Sequence, residues 1–350
     1  MIPYYFLFSL PALLSLFQKK FTRDQSYILY IFTLIVLIFF VGFRDKVGGD
    51  WHIYLKSYNT DGNNPLFLFH TYTSVAYYFL LKIFYQLGLN FYFFNFFLSL
   101  IFFFCLHNFI KDEPNPFLCI VIAIPIIILV AVMGYIRQGM ALGFILISYK
   151  YLIEDRKVFF IFLTILGSFF HVSALFNFIF LIIFIDKLKF KTIILYVLLI
   201  VFVIFFYNLE SEEINRLLYN YMGKGVYFDS QGAKIRYVIN FLPSLIFLAY
   251  ARKFSRNILE KRLFWTISAI SIFLIFFITS YSTSVDRLII YLNSIQIIVF
   301  NRLPYLFNNN FNSLILTLII LIFYFVLYYA FLNISIHGPS GWMPYRTILF

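Results

Sequence analysis

Residues 27–51 read YILYIFTLIVLIFFVGFRDKVGGDW. The apolar run over 27–43 is close to the roughly 20 residues with which a helix crosses a hydrocarbon core. It ends in a charged segment, 44–51, whose glycines allow backbone angles closed to other residues. This pattern predicts a membrane-spanning helix followed by a polar turn at the membrane surface. Ionisable groups are costly beside lipid, so the few that occur there indicate where function lies.

The rest of the chain has the same character. Of its 350 residues, 63% are hydrophobic and only 12% are charged, and the mean hydropathy is +0.89. A soluble domain carries far more charge, and a membrane barrel would alternate apolar and polar residues. We therefore predict an all-α, polytopic integral membrane protein. It forms a single transmembrane domain over 1–350, with roughly ten to twelve helices of membrane-spanning length.

Apolar runs of suitable length recur along the whole chain. The candidate spans are residues 4–17, 27–43, 91–110, 117–133, 139–153, 192–206, 237–250, 263–280, 288–300 and 313–332. Two further segments are ambiguous. Polar residues scattered through 66–87 favour a helix that lies in the membrane interface. The apolar run 158–185, with Gly167 and His171 near its centre, is typical of a re-entrant hairpin or a broken helix.

The distribution of positive charge favours one topology. The chain has 27 Lys and Arg against 15 Asp and Glu, a formal charge of +12, and such residues collect in cytoplasmic loops. A bias appears only if 66–87 does not cross and 158–185 returns to the side it entered from. Both chain ends and the loops 44–65 and 207–236 then lie outside. No basic face exists beyond the membrane elements, which argues against nucleic acid as a partner.

This topology brings the uncommon polar groups to the outer face. Cations gathered there with one or two carboxylates form a natural site for an anionic lipid headgroup such as a diphosphate, which arginine binds in a bidentate manner. The candidate diphosphate-binding or glycan-binding residues are Arg44, Arg137, Gln138, Arg236 and Arg287. A snorkelling role at a helix end is the alternative for Arg137. Asp286 is expected either at the site or in a local pair with Arg287.

No cofactor motif is present. Cys105 and Cys119 lack a CxxC arrangement and are interpreted as buried thiols. His171 has no second His, Cys or carboxylate at metal-ligand spacing, so we predict no metal site. The phosphate-cradling GxxxxGK[ST] motif, the GxSxG motif and a dinucleotide fingerprint are also missing from the sequence.

Several short motifs follow one another in a recognisable order. They are GFRDKVGGDWHIY at 42–54, YIRQGMA at 135–141, FFHVSA at 169–174, Asp286-Arg287 with Tyr291, and Leu303-Pro304. Their order and spacing resemble the EpsG family, the Wzy-like polymerases of bacterial surface polysaccharides such as O-antigen, capsule and exopolysaccharide. The family's usual Gly-Thr-Asp stands here as Gly48-Gly49-Asp50, which keeps the carboxylate.

The resemblance implies a metal-independent glycosyltransferase of the GT-C type in the bacterial cytoplasmic membrane, with its active site facing outside. Its substrates would be undecaprenyl-diphosphate-linked oligosaccharides. The growing chain is the donor, and a hydroxyl of a new repeat unit attacks its anomeric carbon. A flippase and a chain-length regulator are the protein partners that such a role implies.

This chemistry needs a proton acceptor and a stabiliser for the departing diphosphate. Asp50 is the first candidate for the acceptor, since a partly desolvated carboxylate has a raised pKa. His171 is the second candidate. Gly48 and Gly49 would shape the loop for close approach of a sugar. The alternative for Asp50 is a structural pair with Arg44 or Arg137.

Two other functions stay open at this point. A flippase or transporter of lipid-linked oligosaccharides would also need cations and broken helices. It predicts charges near the bilayer midplane and internally repeated halves, and neither is visible in the sequence. A different polyprenyl-phosphate-dependent glycosyltransferase, or an acyltransferase, would stay within the enzymes. Acyl transfer usually pairs a His with an Asp, and His171 has no obvious partner of that kind.

Overall fold

The computed structural model describes residues 1–64, 74–187, 230, 232–307 and 309–349, except for the side chains of 185–187. This part of the chain is helical throughout and contains no strand, only an isolated backbone bridge between Arg44 and Thr347. The predicted all-α class is confirmed. The prediction of one transmembrane domain remains a prediction.

The described residues form helices that differ widely in length. In chain order they are α1 (Ile2–Phe17), α2 (Arg23–Gly42), α3 (Trp51–Asn63), α4 (Val75–Gln86), α5 (Phe91–Ile110), α6 (Pro116–Gly134), α7 (Ile136–Ile153), α8 (Lys157–Ser168), α9 (Ala233–Phe254), α10 (Ile258–Phe273), α11 (Ser282–Leu292), α12 (Ser294–Arg302), α13 (Asn310–Asn333) and α14 (His337–Gly341). The segment Val172–Lys187 is a 3₁₀ helix, and α6 continues from Ile124 to Gly134 as a π-helix.

Four of the described helices, α2, α5, α6 and α13, are long and apolar enough to cross a membrane. The protein is therefore an integral membrane protein, although the predicted total of ten to twelve spans is not reached by this measure. The run predicted as one span over 288–300 is bent, because α11 and the segment that begins with α12 meet at an angle of 44°, and the two together are apolar enough to form one broken span. At the break, the Asn293 side chain accepts a hydrogen bond from Gln296. The predicted span 192–206 lies outside the described residues.

The helices run between two ends of the bundle. At one end, here called the Arg302 end, Arg302 donates to Glu113 at 2.6 Å and to Glu260 at 2.7 Å. These three buried side chains join the connection after α5, the start of α10 and the end of α12. Lys150 pairs with Asp112 at the same end. Several of the basic residues predicted for the inner side thus lie together.

The apolar run 158–185 forms a helical hairpin, and its re-entry into the membrane remains a prediction. Nζ of Lys157 at the start of α8 lies 4.1 Å from the ring centroid of Phe184 near the end of the 3₁₀ segment, so the chain turns back on itself. The buried residues of the 3₁₀ segment recur every third position, as its three residues per turn require. They include Ala174, Asn177, Phe180 and Ile183.

The segment predicted as an interfacial helix contains α4, while residues 66–73 lie outside the described part. Ser74, just before α4, accepts a hydrogen bond from Arg137, and Phe91, just after it, packs against Trp51 at 5.6 Å. Both ends of α4 therefore lie at the end of the bundle opposite Arg302. The predicted loop 44–65 is largely helical, because it contains α3. Of the predicted loop 207–236, only 230 and 232–236 are described.

Candidate functional site

The turn between α2 and α3 is held against the end of the π-helix. Gly48 has φ +121°, and a Cβ atom built on it would lie 2.2 Å from the Met133 carbonyl oxygen. Only glycine combines this left-handed backbone with so close an approach. The Gly48 N–H donates to the Gly341 carbonyl at 2.8 Å. Gly48 thus allows the loop to touch two other parts of the chain, while the close approach of a sugar remains a prediction.

Arg44 supports this turn from inside. Its side chain is 0% exposed. Nε donates to the Val47 carbonyl at 2.9 Å, Nη2 donates to the Met133 carbonyl at 3.2 Å, and Nη1 donates to the Val41 carbonyl. The sequence suggested Arg44 as a diphosphate ligand. In this arrangement its guanidinium is enclosed by carbonyls, so it has no surface to offer a substrate.

Residues 341–348, here called the C-terminal strap, cover the same turn. The Asp45 N–H donates to the Arg346 carbonyl at 2.9 Å, and Thr347 Oγ1 donates to the Phe43 carbonyl at 2.9 Å. The Trp342 indole donates to the Leu129 carbonyl of the π-helix at 3.2 Å. The strap therefore fixes the turn before α3 in place.

Asp50 occupies the N-cap position of α3, but its side chain makes no capping bond. Within the described part of the chain the part-buried carboxylate forms no hydrogen bond or ion pair. The structural pairs considered for it, with Arg44 or Arg137, are not formed. Partial burial raises the pKa of Asp50, and the positive charges of Arg287 and Arg137 offset only part of that rise. Asp50 is thus an unpartnered carboxylate that two arginines influence through space.

Arg137 begins α7 among aromatic rings. Its guanidinium lies 6.0 Å from the ring centroids of Tyr54 and of Tyr78, and Nη1 is 3.5 Å from the Ser74 hydroxyl. Among the described residues it has no carboxylate within ion-pair distance. Because the side chain is part-exposed and uncompensated, it is a cation available to an anionic ligand.

Gln138 and Arg287 hold one another. The Gln138 amide donates to the Arg287 carbonyl at 2.8 Å, and Arg287 Nη1 donates to the Gln138 side-chain oxygen at 2.6 Å. The guanidinium also lies 4.8 Å from the Tyr135 ring centroid. Gln138 is only 1% exposed, so in this structure it orients Arg287 and does not itself face a ligand. Arg287, like Arg137, lacks a carboxylate partner in the described part.

Arg236 differs from these two arginines. It forms a bidentate pair with Asp286, with Nε–Oδ1 at 2.5 Å and Nη2–Oδ2 at 2.6 Å. Asp286 also accepts from the Ser230 hydroxyl at 2.9 Å. The local pair between Asp286 and Arg287 considered from the sequence is therefore not formed. The pair with Asp286 joins α9 to α11. Because this pair already neutralises the guanidinium, Arg236 is poorly suited to bind a diphosphate.

His171 lies in the turn between α8 and the 3₁₀ segment, outside the spanning helices. Its Nδ1 is 2.6 Å from the Ser173 hydroxyl, which is in turn 2.9 Å from the Tyr291 hydroxyl. Burial, together with the charges of Arg287 and Arg137, lowers the pKa of His171. The ring is therefore neutral at pH 7 and a weak proton acceptor.

The structure thus gathers part of the predicted set. Arg137 and Arg287 act electrostatically on both Asp50 and His171 at the end opposite Arg302, whereas Arg44, Gln138 and Arg236 are engaged by the protein. Sequence reasoning gave no role to Ser173 or to the strap. The spacing of Ser173 two residues after His171 was the available signal for a local hydrogen bond.

Three comparisons bear on this arrangement. The model of the EpsG family matches residues 2–347. No curated protein and no solved structure matches the chain. In the described part of the chain, no three His, Cys, Asp or Glu side chains are grouped so as to hold a metal ion.

Proposed function

The chain belongs to the EpsG family of polysaccharide polymerase-like membrane proteins, and on that premise we propose that it polymerises a bacterial surface polysaccharide. It would be a metal-independent glycosyltransferase of the GT-C type, acting at the outer face of the cytoplasmic membrane. It joins undecaprenyl-diphosphate-linked repeat units, with the growing chain as donor and a new unit as acceptor. A flippase would supply the units, and a chain-length regulator would limit the product.

One observation carries this proposal. The unpartnered carboxylate of Asp50 is close enough to Arg137 and Arg287 to feel their charge, and neither arginine is neutralised by a described carboxylate. Elsewhere, part-buried Arg236 and buried Arg302 have acidic partners, and buried Arg44 is enclosed by carbonyls. Leaving three charges uncompensated destabilises the fold, which is typical of a site arranged for a charged ligand.

The proposed reaction divides the work between these residues. Asp50 accepts the proton of the attacking hydroxyl as the new bond forms at the anomeric carbon of the growing chain. The bond from that carbon to the diphosphate oxygen breaks, and its electron pair leaves with the undecaprenyl diphosphate. Arg137 and Arg287 stabilise the negative charge on the departing oxygen. Planar guanidinium groups suit this task because they bind phosphate oxygens in pairs.

A reconstitution experiment tests the proposal. Purified protein in lipid nanodiscs is given the lipid-linked repeat unit of its host, and the products are separated on a gel. Wild type is expected to produce a ladder, while Asp50→Asn and Arg137→Ala leave single units. Arg156→Ala is the matched control for the arginine, because that side chain is half-exposed and packs on the ring of Phe159.

A deletion strain separates polymerisation from transport. If the protein polymerises, cells without it accumulate single lipid-linked units on the outer face, and wild type restores the ladder. If single units instead stay on the inner face, the protein moves its substrate and the proposal is wrong. If the Asp50→Asn variant still polymerises, the protein remains a polymerase but Asp50 is not its proton acceptor.

A further inference from the structure

Three polar groups form a chain that ends on His171. The Ser173 backbone N–H donates to His171 Nδ1 at 3.3 Å, and the Ser173 hydroxyl lies 2.6 Å from the same nitrogen. The Tyr291 hydroxyl is 2.9 Å from the Ser173 hydroxyl. This chain of hydrogen bonds joins the turn after α8 to helix α11.

The backbone N–H fixes the direction of the whole chain. An amide nitrogen can only donate, so a proton on Nδ1 would face the amide proton of Ser173. Nδ1 therefore accepts, the Ser173 hydroxyl donates to it, and the Ser173 oxygen accepts from Tyr291. In a neutral imidazole the remaining proton is then on Nε2.

The other side of the ring is free for a ligand. Within the described residues Nε2 makes no hydrogen bond, and the ring is part-exposed. Arg287 and Arg137, the two arginines without a described acidic partner, act on the ring through space. A neutral N–H beside two cations is complementary to an anionic oxygen.

We propose that Ser173 and Tyr291 are positioning residues that hold His171 in the Nε2–H tautomer, and that this N–H donates a hydrogen bond to a diphosphate oxygen of the lipid-linked substrate. The identity of that substrate rests on the proposed function. The tautomer rests on geometry alone. His171 then stabilises the leaving group with Arg137 and Arg287, and Asp50 is left as the proton acceptor.

The first test reads the tautomer without any substrate. Protein labelled with ¹⁵N in its histidine rings is reconstituted in nanodiscs, and the His171 signals are assigned by their loss in His171→Gln. We expect Nδ1 to be unprotonated and Nε2 protonated throughout pH 5–8. Tyr291→Phe should mix the two tautomers, whereas Tyr324→Phe, which removes a buried hydroxyl bond to Gln296, should not. A proton on Nδ1 in wild type would overturn the assignment.

The second test reads the role in the reaction. The amide nitrogen of Gln reaches the position of Nε2, so His171→Gln keeps a hydrogen-bond donor there, while His171→Asn places its amide near Nδ1. We expect His171→Gln to retain most polymerisation. Removal of the donor in His171→Ala and His171→Asn should lower kcat by about 100- to 1,000-fold, the usual effect of losing one such donor. A His171→Gln variant that folds and is as inactive as His171→Ala would contradict the proposal.

The two failures are distinguishable. Wild-type protein that shows the Nε2–H tautomer but forms no polymer would contradict the proposed function and leave the tautomer assignment standing. Wild-type protein that polymerises normally with Nδ1 protonated would contradict the tautomer assignment and leave the proposed function standing.

Discussion

Asp50 differs from two buried carboxylates of this protein in how its charge is compensated. Glu113 and Asp286 are buried in ion pairs with Arg302 and Arg236, so their charge is compensated where it is. Asp50 is part-buried and has no partner in the described part of the chain. An ionised group in that state destabilises the fold, because it loses hydration and gains no direct bond. The proposed role as proton acceptor would explain why an aspartate is kept at this position.

Asp50→Asn should therefore separate activity from stability. The folded-state pKa of Asp50 is raised above its unfolded value, so ionisation at neutral pH weakens the fold. We expect Asp50→Asn to abolish the ladder and to leave Tm at pH 7 unchanged or higher. The difference in Tm should disappear as the pH falls to about 4, near the unperturbed aspartate pKa of about 3.9. The wild-type carboxyl is then protonated in the folded state and no longer weakens the fold.

The raised pKa of Asp50 should also determine how polymerisation falls at acid pH. If Asp50 is the proton acceptor that we propose, polymerisation should fall as the pH drops through its raised pKa, above that of an ordinary aspartate. Asp24→Asn, at an exposed position, is the control for both measurements. A large fall in Tm for Asp50→Asn alone would mean that the carboxylate is structural.

Two glycines with left-handed backbones allow a matched comparison of strain and contact. Gly48 has φ +121° and Gly88 has φ +70°, but only Gly48 has another atom where a Cβ would stand. Gly88→Ala should lower the free energy of unfolding by about 1 kcal/mol, the usual penalty of a strained non-glycine residue. Gly48→Ala should lower it by more and weaken polymerisation. Equal effects in denaturation experiments would show that the Met133 contact is unimportant.

At this scale the sequence is most informative about residues whose surroundings are local, and the roles predicted for them remain predictions. Asp50 and Arg137 stand out because charge beside apolar runs is rare. The bidentate pair of Arg236 with Asp286 was missed, since it joins residues on helices that are separated by 50 positions. Local patterning does not encode which arginine a carboxylate meets.

At the scale of elements, the C-terminal strap is the piece that completes the turn before α3. Trp342 is 4% exposed, bonds to the π-helix and packs edge-on against Phe331 at 5.1 Å. Its residues have no helical or strand periodicity, so the sequence could predict that the tail lies on the outer side but not that it forms part of the site. The 3₁₀ hairpin, in contrast, was visible as one long apolar run interrupted by polar residues.

Trp342→Ala should therefore affect a turn that lies far away in sequence. Truncation of a buried large aromatic residue lowers stability by about 3–5 kcal/mol. We expect a lower Tm and faster amide hydrogen exchange over residues 44–50. Trp265→Ala is the control, because that side chain is 51% exposed on α10 and its loss should change neither. Unchanged exchange in the turn would mean that the strap does not hold it.

At the scale of the whole molecule, the two ends of the bundle define an orientation that cysteine labelling can check. The native Cys105 and Cys119 are 3% and 0% exposed, so the wild-type background should be nearly silent. Arg346→Cys, at an exposed position of the strap, should react in intact cells with a reagent that does not cross membranes. Lys253→Cys, exposed at the Arg302 end, should react only after permeabilisation. The opposite result would invert the proposed orientation and place the Asp50 site inside.

Membrane class could be predicted from composition alone, because lipid imposes the same demand on every span. The number of spans could not, since helix length and bending depend on neighbours. The break at Asn293 is an example: its side chain finds a partner within a polar cluster that also contains Asn240 and Tyr324.

The C-terminal strap also determines when, during translation, the turn before α3 is completed. Thr347 bonds to the Phe43 carbonyl, a residue 304 positions earlier, so at roughly 5–20 residues per second the ribosome needs about 15–60 seconds to deliver the second partner after the first. During that interval α2 and α3 are already made, and the turn between them has its contact with Met133 of α6 but not its bonds to the strap. The turn before α3 is therefore complete only after residues 341–348 have been synthesised.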